Sequence, residues 1–141
     1  MRIPALITAA TLGTLALPAR ADISVVVHRD SEVRQLSRTE VSNLYLGHGL
    51  QTGKFPRFLV LERPRDSEIR RRFFNRLNGM DLDRVNALWA RLQFSGEALP
   101  PTPLQEDRRV LQALRAYPEA IGYVDSTALD GSVREILRIK E

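Results

Sequence analysis

Residues 23–27 read Ile-Ser-Val-Val-Val, and this run limits the fold more than any other part of the chain. Four β-branched residues with one Ser among them favour extended backbone. Having no polar face, the run calls for cover on both sides, which suits a strand inside a parallel sheet. A sheet covered on both faces needs helices above and below it, and helix-period segments do follow. The chain therefore reads as a three-layer α/β domain with a mostly parallel sheet.

The helix signals are local. Ser37-Arg38-Thr39-Glu40 is a capping box, with Val41, Leu44 and Tyr45 as the apolar stripe behind it and Gly47 as the stop. A loop from Gly47 to Pro56 leads to a second buried strand over Phe58–Leu61, ended by Pro64. Asp66 or Ser67 caps the next helix, which carries Glu68 in its first turn and Ile69, Phe73 and Leu77 on one face. Asn78-Gly79 is its exit. Asp81 or Asp83 opens a third helix with Val85, Leu88, Trp89 and Leu92 inward and Gly96 beyond its end. After a loop with Pro100, Pro101 and Pro103, a fourth helix spans Glu106–Ala116, with Val110, Leu111 and Leu114 inward. Ile121–Val124 is a third strand, and Val133–Ile139 reads as an edge strand.

The first 21 residues have a different character. Arg2 precedes an uncharged stretch from Ile3 to Leu17, and Pro18-Ala19-Arg20-Ala21 places small residues before Asp22. That is the pattern of a secretory signal cleaved after Ala21, too short to span a bilayer, which takes about 20 apolar residues. The expected organisation is a signal peptide over 1–21, one periplasmic domain over 22–141, and no membrane span after cleavage. Arg2 and Arg20 leave with the signal, so the 21 basic residues become 19 against 17 acidic ones. A near-balanced domain whose only basic cluster, Arg70-Arg71-Arg72, points three ways round a helix lacks a nucleic-acid footprint. With no Cys in the chain, disulfides, thiol catalysis and Cys-based metal sites are excluded.

Catalytic constellations are sparse. His28 and His48 are the two histidines and have no metal-ligand spacing. His48 sits in a glycine-flanked turn, and His28 follows a strand. There is no nucleophile elbow and no P-loop, so neither an enzyme nor a cofactor is expected. The informative segment is Leu61-Glu62-Arg63-Pro64-Arg65-Asp66-Ser67-Glu68-Ile69-Arg70, an Arg-rich strand-to-helix turn. Amides at a helix start attract anions, and Arg adds paired donors. One reading is an oxyanion site formed by Arg63, Ser67 and Arg70. The other is that Asp66 and Glu68 satisfy those arginines and cap the helix themselves.

Four segments together resemble, in order, the phosphate-type substrate-binding proteins of ABC importers. They are Ser24–Val27 with Leu36-Ser37 and Leu44-Tyr45-Leu46-Gly47; Gly53 before Phe58; Ile69–Phe73 with Trp89 and Phe94-Ser95-Gly96; and Tyr117-Pro118-Glu119-Ala120-Ile121-Gly122-Tyr123-Val124. The resemblance implies one lobe of a type II periplasmic binding protein, where full-length members have two lobes that close on the ligand. It also implies a ligand loop in which Arg63 stands at the family's Arg and Ser67 at its Ser. Arg65 replaces the loop's Asp, Glu68-Ile69 its Gly-Thr, and Arg70 its last Thr. The function implied is a periplasmic binding protein for phosphate or a related oxyanion, linked to ABC-type phosphate uptake or sensing. The alternative is a non-catalytic envelope interaction module that keeps the lobe fold. Its partner would be an importer permease, a sensor ectodomain or a second copy of the chain.

Overall fold

A computed structural model describes residues 2–5, 13, 15, 21–48 and 57–141. Gly53 and most of the signal-like stretch lie outside the described residues. Among the described residues, five strands and four α-helices follow one another as β1 (Ile23–His28), α1 (Arg38–Tyr45), β2 (Leu59–Glu62), α2 (Glu68–Asn78), α3 (Leu82–Phe94), β3 (Thr102–Pro103), α4 (Asp107–Ala116), β4 (Ala120–Asp125) and β5 (Val133–Ile139).

The strands form one mixed sheet in the order β3-β2-β4-β1-β5. β2 pairs in parallel with β3 and with β4, while β1 is antiparallel to both β4 and β5. Four strands thus run in one direction, and β1 alone runs against them. The burial of β1 on both faces therefore comes from its central place between β4 and β5, with helices above and below, and not from parallel pairing. Ile23, Val25 and Val27 pack into a core with α1, α2 and α3. Val26 turns to the other face and packs with Val110, Leu111 and Leu114 of α4. This period-2 division is what makes the domain three-layered.

The helix boundaries follow local chemistry. Ser37 accepts from the Glu40 amide while Glu40 reaches back to the Ser37 amide, completing the capping box. Asp81 is the residue that caps α3, through the Arg84 amide. Gly47, Gly79 and Gly96 all have positive φ where α1, α2 and α3 end. The second strand begins one residue later than its apolar run, at Leu59, and ends on the buried Glu62. No helix among the described residues is long and apolar enough to cross a membrane.

α4 lies against β4 because Gly122 has no side chain. A Cβ built there would come within 2.7 Å of Val110 Cγ1, with Leu61 also in contact. Gly122→Ala is expected to push α4 off the sheet and destabilise the fold by about 1–3 kcal/mol, read from the urea midpoint. An unchanged midpoint would mean that the α4–sheet contact is looser than described.

Candidate functional site

β2 and β3 point the same way, and their carboxyl ends open towards the start of α2. Crevices at the carboxyl ends of parallel strands are where α/β sheets take ligands. A cavity of about 310 Å³ occupies this place. Glu62, Arg63, Arg65 and Arg70 line one side, and Asn86, Trp89, Ala90 and Gln93 of α3 line another. Pro100, Pro101 and Pro103 complete its wall.

Glu62 is the unexpected centre. It ends an apolar strand yet is 5 % exposed. Its Oε1 accepts a short hydrogen bond from Tyr123 Oη and a 2.9 Å bond from the Arg63 amide. Its Oε2 lies 3.3 Å from Arg70 Nε, close enough for an ion pair but without hydrogen-bond alignment. The aromatic floor is equally ordered. Phe73 stacks on Tyr123 with centroids 3.8 Å apart, Tyr45 meets both edge-on, and Trp89 Nε1 donates to the Tyr45 carbonyl.

Burial lifts the Glu62 carboxyl above the ordinary glutamate range, against the opposing pull of Arg70 and of the bonds from Tyr123 and the Arg63 amide. Burial, reinforced by the Glu62 charge, raises both the Tyr123 and the Tyr45 phenols well above the usual range. The folded chain therefore holds the Glu62 proton where the unfolded chain has lost it. The group's contribution to stability is complete below about pH 4.3, the unfolded value, and fades as pH rises through the higher folded value. The stability of the native chain relative to Glu62→Gln should accordingly be greater near pH 4 than near pH 7. A relative stability that grows with pH would contradict this.

The structure brings Arg63 and Arg70 to one cavity, and they are held differently. Arg63 is fully engaged: Nε donates to the Leu104 carbonyl, Nη2 to Gln105, and Nη1 to Asp107 Oδ1 at 2.6 Å and to the Tyr123 carbonyl. Arg70 donates through Nη1 to the Arg65 carbonyl and to Asn86 Oδ1, with its guanidinium over the Phe74 ring. Its Nη2 makes no hydrogen bond among the described residues.

Ser67 takes the N-cap position of α2, but its hydroxyl caps nothing. Its Oγ is buried without a hydrogen-bond partner among the described residues, and Ser67 does not line the cavity. The carboxylates that engage the two arginines are Asp107 and Glu62, not Asp66 and Glu68. Glu68 instead pairs with Arg71 on the surface. His28 lies outside the site, its Nδ1 accepting from the Asp30 amide in a turn. No acidic and histidine cluster that could hold a metal ion occurs among the described residues.

Sequence reasoning missed Glu62, Asn86 and Asp107 as members of this site. Glu62 did leave a signal: a carboxylate at the last position of an apolar strand, directly before an Arg.

A three-layer α/β unit with an Arg-lined crevice at its strand ends has the form of one lobe of a solute-binding protein. Solved structures bear out that fold. The chain superposes on a phosphate ABC transporter substrate-binding protein of Clostridium perfringens with bound phosphate, at a TM-score of 0.63 and 17 % identity, covering 83 % of this chain and 45 % of that one. It superposes likewise on an ABC-type phosphate transport receptor of Vibrio cholerae, at a TM-score of 0.64 and 19 % identity, covering 83 % and 46 %. The chain thus spans about half the length of these structures. No protein-family model matches it, and no curated protein does.

Proposed function

We propose that residues 22–141 form a periplasmic binding module for phosphate or a related oxyanion, exported by a signal peptide cleaved after Ala21 and linked to ABC-type phosphate uptake or sensing. The observation that carries this reading is Arg70: a buried arginine, its Nη2 without a hydrogen bond among the described residues, on a cavity at the parallel strand ends, beside a helix start whose N-cap Ser67 makes no side-chain cap bond. Helix-start amides and an Arg fork offer what a tetrahedral oxyanion requires. In this reading Arg70 contacts the ligand. Arg63, tied to Asp107, holds the loop in place, and the Ser67 hydroxyl, buried outside the cavity lining, would have to turn towards the anion to donate to it. The likeness to phosphate-binding structures supports the choice of anion. The proposed activity is binding, with no catalysis.

Titration calorimetry with inorganic phosphate and with sulfate tests it. The expected result is a saturable heat with a dissociation constant at or below about 1 mM, equivalent to about −4 kcal/mol. Arg70→Ala should abolish it, and Arg65→Ala, at an exposed position, should weaken it without loss of fold. No heat at millimolar anion would contradict the reading.

A second reading is an interaction module of the envelope, and a specific surface favours it. Phe94 and Leu99 are 97 % and 86 % exposed, beside the cavity residues Gln93 and Pro100. Large apolar side chains left in water mark contact surfaces. Light scattering on the purified protein distinguishes the two: a self-associating species broken by Phe94→Ser supports the interaction module, and a strict monomer weakens it.

A further inference from the structure

The charged residues that line the cavity, Glu62, Arg63, Arg65 and Arg70, all come from the end of β2, the turn between β2 and α2 and the first turn of α2. The rest of the lining is Trp89, Ala90 and the prolines, with Asn86 and Gln93 as its polar members. The volume, about 310 Å³, falls at the small end of the range for sites that take organic molecules. An inorganic phosphate displaces the space of a few waters, each about 30 Å³, and would leave the proline and tryptophan wall wet. An anion site evolved for a bare tetrahedral ion has no use for that wall, because burying apolar surface stabilises a complex only when the ligand brings apolar surface to it.

We infer that the cavity takes an organic phosphoryl anion, a phosphate monoester or phosphonate with a small flat apolar body, in preference to inorganic phosphate. The inference rests on the oxyanion reading above and narrows its ligand class. The head group meets Arg70 Nη2 and the Arg65 side chain at the start of α2. The carbon body lies along the α3 face between Trp89 and the prolines, and Ala90 leaves the room for it. Glu62 keeps Arg70 in place: their pairing neutralises part of the charge, so one phosphoryl head is held and a second is not called for.

Trp89 is the sole tryptophan of the chain, so its emission reports directly on the apolar wall. The test titrates the purified protein with inorganic phosphate, phenylphosphonate and the neutral benzyl alcohol, following calorimetric heat and Trp89 fluorescence together. Phenylphosphonate is expected to bind at least about tenfold more tightly than phosphate and to alter Trp89 emission, and benzyl alcohol is expected not to bind. Ala90→Gln fills the space for the carbon body from an exposed helical position with a good helix former. It should erase the preference for phenylphosphonate over phosphate, with circular dichroism confirming the fold. Phosphate binding equal to or tighter than phenylphosphonate would overturn the inference and leave the oxyanion reading standing. Binding of neither anion, or of benzyl alcohol as well as phenylphosphonate, would overturn both.

Discussion

Phe73→Ala is expected to destabilise the domain by about 3–5 kcal/mol, the range for removing a fully buried aromatic side chain. Phe73 has no exposure, stacks face to face on Tyr123, and meets Tyr45 and Phe74 edge-on. Its removal takes the apolar contact out of the layer that joins α1 and α2 to β4. It also leaves a void that neighbours fixed by their own hydrogen bonds cannot fill: Tyr45 Oη is held to the Leu61 carbonyl and Tyr123 Oη to Glu62. Because domains of this size are stable by only about 5–15 kcal/mol, the variant should be close to unfolding. Urea denaturation followed by far-ultraviolet circular dichroism measures it. Phe73→Leu should recover much of the difference. A loss below about 1 kcal/mol for the alanine variant would mean that the ring layer is not a rigid core.

The second large effect is expected at Arg63. Arg63→Ala removes the ion pair with Asp107 and the donors that satisfy the carbonyls of Leu104, Gln105 and Tyr123. Those groups tie the end of β2 to the segment entering α4 and to β4, three pieces of chain far apart in sequence. Breaking a buried pair from one side costs about 3–5 kcal/mol, mostly through the partners left without a donor. Asp107 is partly exposed and can recover some hydration, which places the expected loss at about 3 kcal/mol. Arg63→Ala combined with Asp107→Ala should cost less than the two single changes added together, since both remove the same contact. Strict additivity in urea melts would show that the pair is not coupled.

The role of Arg63 marks where sequence reasoning stops. Its position in an Arg-rich turn is readable, and so is its neighbourhood to a helix start. Its partner Asp107 is 44 residues downstream, and no local pattern announces that pairing. The same holds for the direction of β1. A Val-rich run fixes that the strand is buried on both faces, whereas its antiparallel neighbours are set by chain segments about a hundred residues away. Features with local causes were legible: the Ser37–Glu40 capping box, the helix stops at Gly47, Gly79 and Gly96, and the inward stripes of α3 and α4. β3 is two residues long and contains Pro103, too short and too donor-poor to leave a strand pattern. Ser67 was readable as a cap residue, and it does hold that position. That its hydroxyl goes unused could only come from the geometry of the turn.

The candidate site follows the same division. Arg63 and Arg70 share a cavity because β2 delivers one and the first turn of α2 the other. The identity of the opposing wall, from α3 and the proline-rich loop, depends on how α3 folds back over β2. Glu62 reads from sequence as the polar end of a strand. In the fold it becomes the buried hub of Tyr123, Arg63 and Arg70, and so governs how Arg70 is presented.

The most direct test of the account is an amide and guanidinium nuclear magnetic resonance titration of the purified protein with inorganic phosphate at fixed ionic strength. The account predicts saturable shifts concentrated at Arg65, Ile69 and Arg70, including the Arg70 side chain, with Arg108 and Arg115 on the far surface unmoved. Shifts absent at millimolar phosphate, or spread evenly over the exposed arginines, would contradict it.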